Sequence, residues 1–202
     1  QINETTVDKV ADLLVNESKL SVAVCNANSL VRAYKNNRIN KVLNSFDICT
    51  PDGFPVALAS RLLYKNSQKR VDGFNLFKRT LEISENKEVT HFFFGNKEEV
   101  VKKIINKFKN SNPNTQIIGY VCPPYLEIDE LLDEKYIKEI IEIQPSIVWV
   151  SLGFPKQELF INDLKNKYNL NSNLVGIGFT FDWISGTKFK APEVLANIGM
   201  EW

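Results

Sequence analysis

Short apolar runs, each too brief for a helix, alternate along this chain with longer stretches whose apolar residues recur every three or four positions. That alternation leaves few folds open. A strand that is apolar on both faces must be covered on both faces, and helices between consecutive strands cover a parallel sheet in that way. The strand-like runs are Ser21 to Cys25, Phe46 to Cys49, His91 to Gly95, Gln116 to Val121, Ile147 to Val150 and Leu174 to Phe179. Helical spacing joins them over residues 5–15, through Leu30, Val31 and Tyr34, and from Pro55 to Tyr64. It resumes from Arg70 to about Ile83, from Val100 to Phe108, up to Ile143, and through Ile161, Leu164 and Tyr168. Asn96 to Glu99 reads as a capping box at the start of one of these helices. The pattern predicts an α/β fold, a Rossmann-like parallel sheet with helices on both faces. Neither Lys65–Lys69 nor Glu85–Glu88 reads as a domain boundary, so residues 1–202 are expected to form one domain.

In an open parallel sheet, ligands bind where strands end and helices begin. Thr50-Pro51-Asp52-Gly53-Phe54-Pro55 marks such a place. Gly53 frees the turn, Pro55 suits a first helical residue, and Asp52 is held at the rim beside the unpaired N–H groups of a helix N-terminus. Asp52 alone reads equally well as a turn or N-cap residue. Its company tips the balance. Asn26 and Asn28 follow the first strand, Gly95 closes the third, and Arg70 and Asp72 open a helix. Gln157 and Glu158 open another, after a Gly153-Phe154-Pro155 turn that echoes Gly53-Phe54-Pro55. A carboxylate at the crevice suits a general base, and the planar fork of an arginine suits a diphosphate leaving group. Singly, these are also a capping Asp, a salt-bridged Arg70 and a solvated Gln157; as a set they favour a site.

Several chemistries are disfavoured. Gly176-Ile177-Gly178 lacks the third glycine of a dinucleotide fingerprint, and no G-K-[ST] phosphate loop occurs. No two Asp residues stand two apart, so the D-x-D pair that holds a divalent metal in some sugar-nucleotide enzymes is missing, and neither a metal nor a cofactor is expected. His91, the one histidine, starts a strand and reads as a surface or edge residue, which leaves no His-based triad. Lys and Arg (25) nearly balance Asp and Glu (24), so a nucleic-acid partner is not expected. Three scattered cysteines read as reduced thiols in a reducing compartment. No run approaches the ~18–20 apolar residues that span a bilayer. Catalysis has to rest on carboxylates, amides, arginine and backbone dipoles.

Thr50-Pro51-Asp52-Gly53, Arg70-Val71-Asp72-Gly73 and Gly153-Phe154-Pro155-Lys156-Gln157-Glu158 carry a resemblance. So does the tail from Val175-Gly176-Ile177-Gly178 through Phe181-Asp182 to Ala191-Pro192, Gly199 and Glu201-Trp202. In order and approximate spacing these residues resemble the WecG/TagA/CpsF family, bacterial glycosyltransferases that move a sugar from a UDP donor onto a lipid-linked sugar. The resemblance implies that Asp52 is the catalytic base, that Asn26, Arg70 and Gln157 line the substrate pocket, and that the reaction is inverting and metal-independent. Val24 stands where the family usually has a threonine, so a role for that hydroxyl is lost or moved. Asn28, Gly95 and Glu158 are carried as further substrate-binding candidates. The donor implied is UDP-N-acetylmannosamine or its uronic acid, and the acceptor a GlcNAc-diphosphate-polyprenol in surface-polysaccharide synthesis.

The family also continues past its Glu-Trp pair with a basic, apolar appendage that completes the site and touches the membrane. The expectation is therefore that this chain folds and binds UDP but transfers sugar poorly, and that the complete protein sits in the cytoplasm at the inner face of the membrane. An apolar stripe on the tail makes a homo-oligomer an open expectation. Two rivals stand beside the transferase: a nucleotide-sugar epimerase, disfavoured by the missing dinucleotide motif, and a non-catalytic nucleotide-binding subunit of a polysaccharide assembly complex.

Overall fold

The computed structural model describes residues 1–189. The sequence motifs at Ala191-Pro192, Gly199 and Glu201-Trp202, and the apolar stripe expected on the tail, lie outside the described residues. Six strands are formed: β1 (Ser21–Cys25), β2 (Ile48–Pro51), β3 (Thr90–Gly95), β4 (Gln116–Val121), β5 (Ile147–Ser151) and β6 (Asn173–Gly176). They make one sheet in the order β2-β1-β6-β5-β3-β4, with every neighbouring pair parallel. All six strands therefore end at the same rim.

Successive side chains of a strand point to opposite faces, and the apolar runs fill both. Ala23, Cys25, Cys49, Phe92, Phe94, Val148 and Val150 form one core. It lies with α2 (Ala27–Lys35), α3 (Asn37–Asn44), α7 (Ile128–Leu131), α8 (Glu134–Ile143) and α9 (Lys156–Lys167). Val22, Ile48, Phe93, Ile147, Trp149 and Val175 face the other way. They pack on α1 (Val7–Asn16), α5 (Gly73–Ser84), α6 (Glu98–Ser111) and α10 (Thr180–Ile184). The Phe77 ring lies within 6 Å of Phe93, Phe108, Trp149 and Phe181 at the centre of that second core. The expected three-layer parallel sheet is what forms.

The remaining helix, α4 (Phe54–Tyr64), is different. It begins at the rim just after β2, and only Val56 and Ala57 of it are buried.

The helical stretches expected through Tyr34 and up to Ile143 are α2 and α8. Two short helices that the spacing did not give lie beside them: α3, which starts where the Asn36 side chain accepts from the N–H groups of Arg38 and Ile39 (3.0 and 3.2 Å), and α7, which precedes Asp133, the N-cap of α8. Two local expectations are corrected. There is no capping box at Asn96: Gly95 and Asn96 both have positive φ (100° and 63°), so the chain turns before α6, and the Asn96 Oδ1 accepts from the adjacent Lys97 N–H instead. His91 is neither surface nor edge. It lies fully buried in β3, an internal strand, between Ser84 and Trp149.

Candidate active site

At the rim, the end of β2 is tied to the end of β1: the Asp52 N–H donates to the Cys25 carbonyl at 2.9 Å. The Asp52 side chain is half-buried. Gly53, with φ +83°, occupies the N-cap position of α4 and Pro55 is the second helical residue. The N-cap reading of Asp52 is thereby set aside, since that position belongs to its neighbour.

Arg70 reaches the same rim from 18 residues further along the chain. The Val71 N–H donates to the Pro51 carbonyl (2.9 Å) and the Thr50 hydroxyl to the Val71 carbonyl (3.0 Å), so the loop prolongs the pairing of β2. The buried Gln68 amide anchors the loop from the other side through Thr5, accepting from its N–H and donating to its carbonyl (2.9 and 2.7 Å). The Arg70 guanidinium, 11% exposed, holds Asp72 Oδ2 through Nε (3.2 Å) and a terminal nitrogen (3.1 Å). Asp72 is also the N-cap of α5 and accepts from the Asn75 N–H and side-chain amide. The salt-bridged reading of Arg70 holds, and the bridge is what orients the guanidinium. A largely covered guanidinium fixed by a carboxylate is a pre-organised partner for phosphate oxygens.

The centre of the rim is built around Gln157, which is buried rather than solvated. Its Oε1 accepts from the Gly178 N–H (2.9 Å) just after β6, and its Nε2 donates to Glu158 Oε1 (2.8 Å). The Ser151 hydroxyl, at the end of β5, donates to the Gly178 carbonyl (2.7 Å). The turns after β5 and β6 are thus stitched together by side chains from α9 and β5. Glu158 is sealed beneath Gln157, with its second carboxylate oxygen unpartnered among the described residues. Burial pushes its carboxyl up from the usual 4.5 to about 7. A carboxyl sealed in this way cannot meet a substrate hydroxyl, so among the acids of the rim within the described residues Asp52 alone combines strand-end placement with partial exposure. Infrared difference spectra should show a carboxylic-acid carbonyl band that is lost with a midpoint near pH 7 and is absent in Glu158→Gln. A Glu158→Gln spectrum identical to the wild type would assign the band elsewhere.

Asn26 and Asn28 stand where expected, exposed just past β1, with the Asn26 Oδ1 capping α2 through the Ser29 N–H (3.0 Å). Gly95 is required by the backbone: a Cβ there would come within 2.6 Å of the Ser151 carbonyl oxygen, at a φ of +100°. Gly95→Ala should lower stability by about 1–3 kcal/mol in urea unfolding; an unchanged midpoint would mean that the ends of β3 and β5 can separate.

A cleft of about 590 Å³ opens at the β3, β4 and β5 ends of the rim, lined by Asn96, Cys122, Tyr125, Ser151 and Lys156 among others. The Lys156 ammonium donates to the Leu126 carbonyl and lies 3.7 Å from the centre of the exposed Tyr125 ring. Sequence reasoning passed over Ser151, Asn96 and Tyr125 as site residues. Ser151 carried the same signal as Asp52, a polar residue ending an apolar strand. Among the described residues no group of three or more His, Cys, Asp or Glu side chains comes together to hold a metal.

The profile described as "Glycosyl transferase WecG/TagA/CpsF family" matches residues 1–202. Relatives from three organisms bear the name N-acetylglucosaminyldiphosphoundecaprenol N-acetyl-beta-D-mannosaminyltransferase. The Bacillus subtilis (strain 168) protein is 30% identical over 181 residues, covering 90% of this chain and 68% of the relative. The Bacillus spizizenii protein is 32% identical over 170 residues, covering 84% and 64%. A Staphylococcus aureus (strain NCTC 8325 / PS 47) protein of the same name is 25% identical over 201 residues, covering 97% and 76%. The chain thus spans about two thirds of the length of the Bacillus relatives.

Proposed function

From the premise that this chain belongs to the WecG/TagA/CpsF family of glycosyl transferases, we propose that it moves an N-acetylmannosaminyl group, or its uronic acid, from a UDP donor to a GlcNAc-diphosphate-polyprenol. The relatives' names supply the transferred sugar and the acceptor. The observation that carries the reading is the capture of the Arg70 loop by the end of β2, which sets a guanidinium and the Asp52 carboxylate on one rim. In the proposed reaction the acceptor hydroxyl attacks the anomeric carbon from the face opposite UDP. Asp52 takes the hydroxyl proton as the new C–O bond forms. The bond from the anomeric carbon to the diphosphate breaks, and Arg70 with the adjacent helix N-termini balances the charge that UDP gains. One displacement inverts the configuration, and no metal is needed where fixed cations and backbone dipoles do its work. Asn26, Asn28, Gln157 and the backbone at Gly95 complete the substrate-binding rim in this proposal, and Glu158 acts through Gln157. In this proposal the reaction runs at the cytoplasmic face of a membrane, where the lipid-linked acceptor lies and the protein works from the surface. No helix among the described residues is long and apolar enough to cross a membrane.

Calorimetric titration in EDTA should show UDP binding without metal and no binding of NAD or ATP. Arg70→Ala should weaken UDP by about 10- to 100-fold, the worth of hydrogen bonds between charged groups. Equal affinity for ATP, or an Arg70→Ala chain that binds UDP as the wild type does, would sink the assignment.

A further inference from the structure

Helix α4 runs against the normal distribution of a globular protein. Apart from Ser60 and Arg61 every residue of it is apolar or aromatic, yet nine of its eleven residues are not buried. Leu62, Leu63 and Tyr64 are 72%, 73% and 75% exposed. Beside it, α2 exposes Val31 and Tyr34, so these two helices present five of the ten exposed large apolar side chains among the described residues. Between them lies an apolar groove of about 360 Å³ that runs from Ala27 and Pro55, next to Asn26 and Asp52, out to Leu63 and Tyr64. A soluble domain seldom leaves such a patch uncovered without a use for it.

The charge around the patch identifies what covers it. Residues 27–70 hold eight Lys and Arg against two Asp, a net charge of +6 in a chain whose total is +1. Lys35, Arg61, Lys65 and Lys69 stand exposed on or just beyond the two helices. A second copy of the same face would bring like charges together. An anionic bilayer offers the opposite charge at its surface and an apolar layer beneath, and tyrosines favour the boundary between them.

We infer that the α2–α4 face docks on an anionic lipid surface. Leu62, Leu63 and Val31 enter the acyl boundary, the cations rest among the headgroups, and the groove runs from the lipid to Pro55, three residues past Asp52. The inference rests on the lipid-linked acceptor of the proposed function and adds the surface by which the described residues meet it, distinct from any segment beyond them.

The test is co-sedimentation of the full chain with vesicles of phosphatidylglycerol and phosphatidylcholine, compared with phosphatidylcholine alone, alongside calorimetry with UDP. The wild type should partition onto the anionic vesicles and release at high salt. Leu62→Glu/Leu63→Glu should weaken partition by roughly tenfold or more, and Lys35→Gln/Lys65→Gln by roughly 20-fold on anionic vesicles only. Both should bind UDP as the wild type does, which shows that they are folded. Failure of the wild type to bind anionic vesicles, or partition unaffected by both variants, overturns the inference. So does an oligomer that Leu62→Glu/Leu63→Glu dissolves without changing vesicle binding, which makes the face an interface between copies. Loss of UDP binding by the wild type would instead count against the transferase reading, and vesicle partition is measured independently of it.

Discussion

Asp52→Asn should lower the rate of sugar transfer by about 10²–10⁴-fold, the usual worth of a positioned general base. The substitution keeps the size and shape of the side chain and removes its ability to take a proton. The backbone tie to β1 is kept, since that hydrogen bond comes from the N–H, and the N-cap of α4 is Gly53. UDP affinity should fall less than in Arg70→Ala, because the Asp72 brace of Arg70 is kept. Arg70→Ala should show the contrasting signature, weaker nucleotide binding along with slower transfer. The measurement is release of UDP in the presence of a GlcNAc-diphosphate-lipid acceptor, with saturating donor so that turnover is separated from binding. Turnover by Asp52→Asn within a factor of a few of the wild type would remove Asp52 from the chemistry. It would then leave the non-catalytic subunit as the better description of a chain that still binds UDP.

The rim was legible in the sequence where a single residue type met a single local constraint. Asp52 stood out because an apolar run ended in Pro51-Asp52-Gly53 and a helix followed at once, and parallel strands carry such ends to one edge. The joining of Arg70 to that edge was not legible as geometry. It depends on the Thr50 hydroxyl and the Val71 N–H meeting across the α4 excursion, and no periodicity records a contact of that span. Gln157 was found at the correct turn, but its burial was not legible, because the hydrogen bonds that draw it in reach Gly178 and Glu158, and the first of these lies 21 residues along the chain. The helices α3 and α7 were missed for a smaller reason. With eight and four residues they are too short for an apolar period to show. His91 was misplaced because a histidine at a strand start is usually near the surface, whereas here its partners come from a helix and a neighbouring strand.

Those partners decide how the fold responds to acid. The indole N–H of Trp149 can only donate, and it lies 3.1 Å from His91 Nδ1, so that nitrogen must carry a lone pair and Nε2 carries the proton toward the Ser84 hydroxyl. Protonating the ring would break the Trp149 bond and bury a charge. Burial accordingly lowers the His91 pKa from 6.5 to about 3. Between those values the unfolded chain binds a proton that the folded chain refuses, so this contribution to stability is complete above pH 6.5 and is lost as the pH falls toward 3. The loss is on the order of 2 kcal/mol by pH 5 and roughly 5 kcal/mol at the acid end. Glu158 acts in the opposite direction. Its folded pKa of about 7 lies above the usual 4.5, so the folded chain keeps a proton that the unfolded chain gives up, and stability is lost as the pH rises from 4.5 through 7. Between pH 7 and 5 the two trends are each on the order of 2 kcal/mol and nearly cancel. The stability of the wild type from urea unfolding, followed by tryptophan fluorescence, should therefore be almost flat over that interval. His91→Gln should become more stable on acidification from pH 7 to 5, and Glu158→Gln less stable. Curves for both variants that run parallel to the wild type would mean that neither buried group is held in its uncharged form by the fold.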